Sequence, residues 1–194
     1  MTRARDGYDA SMADKELDGL RIAILLTDGF EQVEMTGPRA ALDAVGATTT
    51  LVSPKSDSVQ GMHHDQKGDT FPVELNLDNA SAQDFDALLL PGGVANPDAL
   101  RLEPKAIAFI KAFADKPIAA ICHGPWTLID AGIAQGKRMT SWPSLQTDLR
   151  NAGADWVDQE AVTDGNVVTS RKPDDIPKFN EAMIALFATR LSAS

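Results

Sequence analysis

A short apolar run near the middle of the chain ends in an abrupt turn, and this boundary constrains the fold more than any other stretch. Residues 118–121 are all aliphatic, and Cys122 follows them before the sequence breaks into His-Gly-Pro. A continuous apolar run of this length is typical of a parallel strand that is buried on both faces. Residues 126–131 then suit a helix. The pattern predicts a strand that turns sharply into a helix at Cys122, the only cysteine of the chain.

Strand and helix patterns alternate along the rest of the chain. Apolar or β-branched runs predict strands at residues 20–26, 48–52 and 87–90, and helical spacing predicts helices at residues 31–45, 104–114 and 173–191. Weaker patterns indicate a hairpin within residues 53–73, a short strand at 138–141, a helix at 145–151 and a hairpin at 161–169. This alternation predicts an α/β fold with a mainly parallel sheet covered by helices on both faces.

We expect a single domain over residues 20–194 behind a flexible tail at residues 1–19. The chain has 194 residues, of which 43% are hydrophobic, and this is enough for one sizeable core. The first 19 residues are polar and charged and lack the apolar segment of a signal peptide. No apolar stretch approaches the roughly 20 residues that cross a membrane, and one cysteine cannot form an internal disulfide. These features predict a cytoplasmic protein with no membrane partner.

The charge balance argues against nucleic acid as a partner. The chain carries 28 acidic and 18 basic residues, which gives a net charge of −10. Such a surface repels a phosphate backbone, and no basic stripe counteracts the repulsion. We therefore expect no stable nucleic-acid partner.

Three loops are expected to meet at one edge of the sheet, namely residues 28–34, 91–98 and 122–126, because ligands of such folds bind outside the carboxyl ends of the strands. Cys122 would lie on a nucleophile elbow, at the amino-terminal end of the following helix. A helix dipole aimed at a thiol favours a depressed pKa and a reactive thiolate. The alternative is a small buried hydrophobe, but a cysteine inside a strand needs no His-Gly-Pro after it, so we favour the reactive interpretation.

His123 is adjacent to the cysteine, and two roles are open to it. Neighbouring residues on an elbow usually point apart, yet the ring could act as a base or the backbone N–H could assist. The other interpretation is a histidine that only holds the loop by hydrogen bonds. Sequence alone favours neither role.

Glycines and acids in the other two loops extend the candidate site. Gly92 and Gly93 end a strand, and their backbone N–H groups could form an oxyanion hole, although Pro-Gly-Gly is also an ordinary turn. Glu31 and Glu34 lie at the start of the first helix, where the dipole alone favours acids. Alternatively, a partly buried carboxyl group near the thiolate would be protonated and would donate a hydrogen bond to sulfur.

No cofactor or metal is predicted. His63 and His64 precede an aspartate, but a third ligand at a clear spacing is missing. The three tryptophans are interpreted as packing residues, and Trp142, which precedes a proline, is expected to line the pocket.

Together these segments resemble the ThiJ/PfpI superfamily, and within it the PfpI-like branch of intracellular cysteine peptidases, protein deglycases and glyoxalase III-like enzymes. The resemblance covers residues 21–186. It rests most specifically on Ala-Ile-Cys-His-Gly-Pro at 120–125, and further on segments 28–34, 90–93, 151–158 and 169–171. Trp142 stands where some relatives have histidine or tyrosine. A class I glutamine amidotransferase needs a downstream His-x-Glu pair, and the absence of histidine after His123 excludes it.

The resemblance implies a flavodoxin-like three-layer α/β/α sandwich. It implies Cys122 as nucleophile, His123 as its partner and Glu34 in contact with the sulfur, with Glu31 nearby. It also implies that an acid from a neighbouring subunit orients the histidine. The matching position here is Asp98, so we expect at least a homodimer.

The implied activities share attack of the Cys122 thiolate on a carbonyl carbon. Small α-oxoaldehydes or their glycation adducts are ranked first as substrates, in a glyoxalase or deglycase reaction, and peptides second. A different class of function is a stress-response protein that senses oxidation through Cys122, or acts as a chaperone, with little turnover.

Overall fold

The computed structural model describes residues 16–191, and the helices and strands below belong to that range. The strands are β1 (Arg21–Leu25), β2 (Phe30–Glu31), β3 (Thr48–Ser53), β4 (Ser58–His63), β5 (Gln66–Pro72), β6 (Leu75–Asn76), β7 (Ala87–Leu90), β8 (Ile118–Ile121), β9 (Arg138–Met139), β10 (Asp155–Trp156), β11 (Ala161–Asp164) and β12 (Val167–Ser170). The helices are α1 (Gln32–Ala44), α2 (Ala95–Arg101), α3 (Pro104–Lys111), α4 (Trp126–Asp130), α5 (Gln146–Asn151) and α6 (Ile176–Ala188).

A seven-stranded sheet in the order β11-β12-β8-β7-β1-β3-β6 forms the centre of the domain. Only the β11–β12 pair is antiparallel, and the other neighbours are parallel. The apolar strand β8 lies between β7 and β12, so the residue that follows it emerges at the middle of the carboxyl edge. The predicted mainly parallel sheet is therefore confirmed.

Two hydrophobic cores lie on opposite faces of this sheet. In β1, Ile22 and Ile24 join one core and Ala23 and Leu25 join the other, and all four are fully buried. Helices α1 and α6 cover the first face, and α2, α3, α4 and α5 cover the second. Strands buried on both faces require continuous apolar sequence, and this explains why the runs do not alternate with polar residues. The predicted three-layer sandwich is confirmed.

A separate three-stranded sheet, β2-β4-β5, stands beside the carboxyl edge. It contains the predicted hairpin, and β4 and β5 are antiparallel with a register shift between Gln60 and Met62. The hairpin is fastened to α1 through Gln32, whose Nε2 donates to Asp69 Oδ2 at 2.8 Å and whose Oε1 accepts from the Asp69 N–H at 2.8 Å. The hairpin is thereby held against the site.

Several boundaries differ from the sequence analysis. Residues 95–101 form α2 where a loop was predicted, and the last helix begins at Ile176 after a short 3₁₀ turn. The domain also begins before residue 20, because Leu17 is fully buried and its N–H donates to the Val45 carbonyl at 2.9 Å. Residues 1–15 of the predicted tail lie outside the described residues.

None of the helices found between residues 16 and 191 has the length and apolar character that a membrane span requires.

Candidate active site

Cys122 occupies a strained turn immediately after β8. Its φ is 62°, a left-handed conformation that side chains other than glycine rarely adopt. Two backbone hydrogen bonds hold it there: its N–H donates to the Ser170 carbonyl at 3.0 Å, and its carbonyl accepts from the Trp142 N–H at 2.9 Å. Strain of this kind persists only where the surroundings impose it, and it concentrates at functional sites. The predicted elbow at Cys122 is present.

Glycines let the loop after β7 approach the cysteine. A Cβ on Gly92 would lie 2.6 Å from the Cys122 Cβ and would overlap the Glu34 carboxyl group. Gly93 has a φ of 76°, and a Cβ there would lie 2.6 Å from the backbone nitrogen of Glu31. Residues with side chains would therefore push the three loops apart.

Glu34 lies beside the cysteine at the base of the site. It is fully buried, and its Oε2 accepts the Gly92 N–H at 2.9 Å. Burial is the main reason that the pKa of Glu34 rises from 4.5 to about 8, while its interactions with Cys122 and the Gly92 N–H act in the opposite direction. Oε1 has no partner of good hydrogen-bond geometry. At neutral pH this carboxyl group is protonated and can donate a hydrogen bond.

The thiol itself is harder to ionise than the sequence suggested. Burial raises the pKa of Cys122, the neighbouring Glu34 adds to the rise, and the N–H groups of Gly93 and His123 oppose it. The side chain is only 7% exposed, and α4 has five residues, so its dipole is short. The predicted depression of the thiol pKa is therefore wrong for this arrangement, because desolvation outweighs the two N–H groups.

The backbone N–H groups that could form an oxyanion hole also differ from those predicted. The Gly92 N–H, predicted to be a free donor, is already bonded to Glu34. The N–H groups that act on the sulfur are those of Gly93 and His123. These two donors, and not Gly92 with Gly93, are placed to stabilise negative charge that develops next to Cys122.

His123 contacts the cysteine directly. Its Nδ1 is 3.3 Å from Sγ. The ring stacks on Trp142 with centroids 5.9 Å apart, and Trp126 packs against it at 5.8 Å. Burial lowers the pKa of His123, so the ring is neutral at pH 7, and Nδ1 can accept a proton when Nε2 carries the ring hydrogen.

A cavity of about 440 Å³ opens above these residues. Its lining residues come from all three predicted loops, from the hairpin and from two further segments at residues 142 and 173: Gly29, Glu31, Glu34, Met62, His64, Gly93, Val94, Ala95, Cys122, His123, Trp142 and Pro173. Glu31 is nearly buried, and its Oε2 accepts the His64 N–H at 3.0 Å. His64, with a φ of 58°, is the only residue besides Cys122 between residues 16 and 191 that has a positive φ and is not glycine.

The predicted site residues divide into two groups. Cys122, His123, Glu34, Glu31, Gly93 and Trp142 line the cavity, with Gly92 directly beneath it. Asp98 is exposed on α2 and is not among the cavity-lining residues, so its role as an acid given to a neighbouring subunit stays a prediction.

Sequence reasoning missed the contribution of Met62, His64 and Pro173. Met62 and His64 belong to the hairpin, which is held beside the site by its pairing with β2 and by the contacts of Gln32 with Asp69. His64 had been weighed only as a metal ligand. No group of His, Cys, Asp or Glu side chains within residues 16–191 is arranged to hold a metal ion.

Comparison with known proteins agrees with the fold. The model of the DJ-1/PfpI family matches residues 20–186. The chain belongs to the DJ-1/PfpI family.

Individual DJ-1/PfpI proteins are similar over nearly their whole length. The chain is 44% identical over 169 residues to a protein of Pyrococcus abyssi named deglycase, covering 86% of this chain and 99% of that one. It is 41% identical over 169 residues to YraA of Bacillus subtilis, which carries the name "putative cysteine protease", covering 86% and 97%. The crystal structure of Drosophila melanogaster DJ-1beta matches with a TM-score of 0.78 and 28% identity, covering 87% and 90%. The names of the first two relatives describe enzymes.

Proposed function

We propose that this DJ-1/PfpI protein is a cysteine-dependent enzyme that converts small α-oxoaldehydes, or their early adducts with amines and thiols, into 2-hydroxy acids. One observation carries the proposal: the strained Cys122 presents its sulfur to a 440 Å³ cavity, with His123 Nδ1 at 3.3 Å. A cavity of this size suits a small molecule. The names of two relatives, deglycase and putative cysteine protease, describe activities that agree with attack by a cysteine on a carbonyl carbon.

The first step forms a bond between Sγ and the aldehyde carbon. With an adduct as substrate, the bond from this carbon to the amine or thiol breaks as the bond to Sγ forms, and the amine or thiol leaves with a proton. Because burial raises the pKa of the thiol, a resting thiolate is disfavoured, and the proton leaves as the sulfur attacks. The neutral His123 accepts it on Nδ1. The aldehyde oxygen gains negative charge next to the N–H groups of Gly93 and His123 and then takes a proton, giving a hemithioacetal.

The later steps need no external oxidant. The hydrogen on the former aldehyde carbon leaves as a proton, and another proton is added at the neighbouring ketone carbon, through an enediol. The aldehyde carbon is thereby oxidised to a thioester, and the ketone carbon is reduced to an alcohol. Water then adds to the thioester, the C–S bond breaks, and the hydroxy acid and the thiol are released. Glu34, protonated below about pH 8, donates a hydrogen bond to the Cys122 sulfur as the C–S bond breaks and the sulfur leaves.

The site is proposed to be completed by a second copy of the chain. Burial lowers the pKa of His123, and no carboxylate within residues 16–191 raises it. Asp98 is exposed, and the neighbouring Val94 is an apolar residue with 58% of its surface accessible at the cavity mouth. A homodimer that covers Val94 would bring the partner's acid towards His123.

Peptide hydrolysis is the second activity of the same nucleophile. It requires an extended peptide to reach Sγ, whereas Cys122 is only 7% exposed at the base of the cavity. This depth favours small carbonyl compounds over a peptide chain.

Redox sensing is a second candidate function with its own supporting observation. The unpartnered Oε1 of Glu34 is buried next to the thiol, and a protonated carboxyl could hydrogen-bond the oxygen of an oxidised sulfur. Mass spectrometry after mild peroxide treatment tests this function, and resistance of Cys122 to oxidation would exclude it.

The enzyme proposal is tested by incubating the wild type and Cys122→Ser with methylglyoxal and measuring lactate. We expect lactate from the wild type and none above background from the variant, because serine preserves the shape of the site and removes the nucleophilic sulfur. Equal rates in the two proteins, or no lactate from either, would reject α-oxoaldehyde turnover.

A further inference from the structure

The cavity is unusual in the charges of its lining. Five of its lining side chains are apolar: Met62, Val94, Ala95, Trp142 and Pro173. The ionisable residues of the described lining are Cys122, Glu31, Glu34, His64 and His123, and none is lysine or arginine. A site that binds carboxylate or phosphate groups normally supplies a cation for them. The lining of this cavity within residues 16–191 contains no lysine or arginine that could supply one.

Glu31 is the source of negative charge in this lining. Its side chain is nearly buried, and Oε2 accepts the backbone N–H of His64 at 3.0 Å. Although Glu31 is the N-cap residue of α1, it forms no capping hydrogen bond. It makes no salt bridge with any residue between 16 and 191. Its charge is therefore not neutralised by a neighbouring cation, and it contributes to the raised pKa of Glu34 at the base of the cavity.

We propose that Glu31 determines substrate specificity by charge: its carboxylate repels anionic carbonyl compounds, so the cavity takes small neutral ones. Many carbonyl compounds, such as 2-oxo acids and sugar phosphates, carry a negative charge at neutral pH. Repulsion of the unwanted ligand is an established route to specificity. The same charge also disfavours the product, because a 2-hydroxy acid is an anion at neutral pH. The inference rests on the proposed function in taking Cys122 as the nucleophile.

Alkylation of Cys122 measures this repulsion without requiring turnover. Iodoacetamide and iodoacetate are nearly the same size and differ by one negative charge. The rate ratio of the two reagents at Cys122, divided by the ratio for a small free thiol in the same buffer at pH 7, reports the charge of the cavity. With the screening of bulk water, a unit charge about 3–4 Å from the reagent changes the rate by roughly five- to tenfold. We expect the wild-type ratio to favour iodoacetamide by about that factor.

Three variants separate charge from packing. Glu31→Gln keeps an acceptor for the His64 N–H and should bring the normalised ratio close to one. Glu31→Asp keeps the charge and should retain most of the discrimination. Asp115→Asn is the matched control, because it removes the same charge from an exposed position before β8, at the opposite edge of the sheet from Cys122, and it should leave the ratio unchanged.

The turnover assay then distinguishes the two proposals. If the protein is an α-oxoaldehyde enzyme, Glu31→Gln should raise kcat/KM for 4-carboxyphenylglyoxal about tenfold relative to that for phenylglyoxal. Charge-dependent alkylation without turnover would keep the inference and reject the proposed reaction. Turnover with the same alkylation ratio in the wild type and Glu31→Gln would reject the inference alone. Failure of Cys122 to react with either reagent would reject both.

Discussion

Replacing Glu34 with glutamine tests whether the carboxyl group beside the cysteine is protonated at neutral pH. In the unfolded chain a glutamate loses its proton near pH 4.5, whereas in the folded protein burial raises the pKa of Glu34 to about 8. Between these values the folded state holds one more proton than the unfolded state. The free energy of unfolding of the wild type therefore falls as the pH rises through this window. Glu34→Gln has no such proton and keeps an oxygen that can accept the Gly92 N–H.

The size of the effect follows from the same two values. At about 1.36 kcal/mol per pH unit, the rise from 4.5 to about 8 corresponds to roughly 5 kcal/mol in total. About 3–4 kcal/mol of this falls between pH 5 and pH 8, because the unfolded glutamate is already largely ionised at pH 5. We expect the free energy of unfolding of Glu34→Gln, minus that of the wild type, to increase by this amount over that range. His123, whose pKa burial lowers, contributes with the opposite sign and is common to both proteins.

Urea unfolding followed by tryptophan fluorescence, at constant ionic strength and at pH values from 5 to 8, gives the required free energies by linear extrapolation. Cys122→Ser is the control for coupling to the thiol, and its pH dependence should resemble that of the wild type, since desolvation is the largest cause of the raised pKa. A difference between Glu34→Gln and the wild type that changes by less than about 1 kcal/mol would refute the reasoning. Glu34 would then be ionised at neutral pH and could not donate a hydrogen bond to the sulfur.

Two further pairs of variants test the architecture of the site. Asp98→Ala and Cys122→Ser should each lack activity towards methylglyoxal. Exchange of subunits between them should restore about a quarter of the wild-type activity, because half of the dimers are mixed and each mixed dimer has one complete site. No recovery despite demonstrated exchange would mean that the partner's Asp98 is not needed. Gly92→Ala should destabilise the fold by about 1–3 kcal/mol through overlap with Cys122 and Glu34 and slow alkylation of the thiol. Gly37 lies inside α1, and a Cβ there would lie an ordinary 3.4 Å from Ile176 Cγ2 of α6. Gly37→Ala should therefore neither destabilise the fold in a urea titration nor slow alkylation, and equal effects of both alanines would contradict this account.

The sequence by itself determined the layers and the position of the nucleophile. Strands that are buried on both faces must be apolar at every position, so residues 118–121 and 87–90 identified β8 and β7, with Cys122 at the end of one and Gly92 near the end of the other. The parallel arrangement then brought three loops to one edge. These are consequences of local pattern and of fold-level rules.

Only the tertiary structure decided the electrostatics of the site and the position of the hairpin that lines it. The helix that follows Cys122 suggested an acidic thiol, but the pKa depends on desolvation by neighbours that are distant in sequence, and burial raised it. Glu34 reaches the cysteine across 88 residues of chain, and whether it meets the Gly92 N–H or water is settled by packing. The hairpin that carries His64 has polar, exposed sequence with little pattern to place it, and its position follows from the pairing of β4 with β2 and from the contacts between Gln32 and Asp69. Charge and shape at an active site are sums over long-range contacts, and local sequence does not contain those sums.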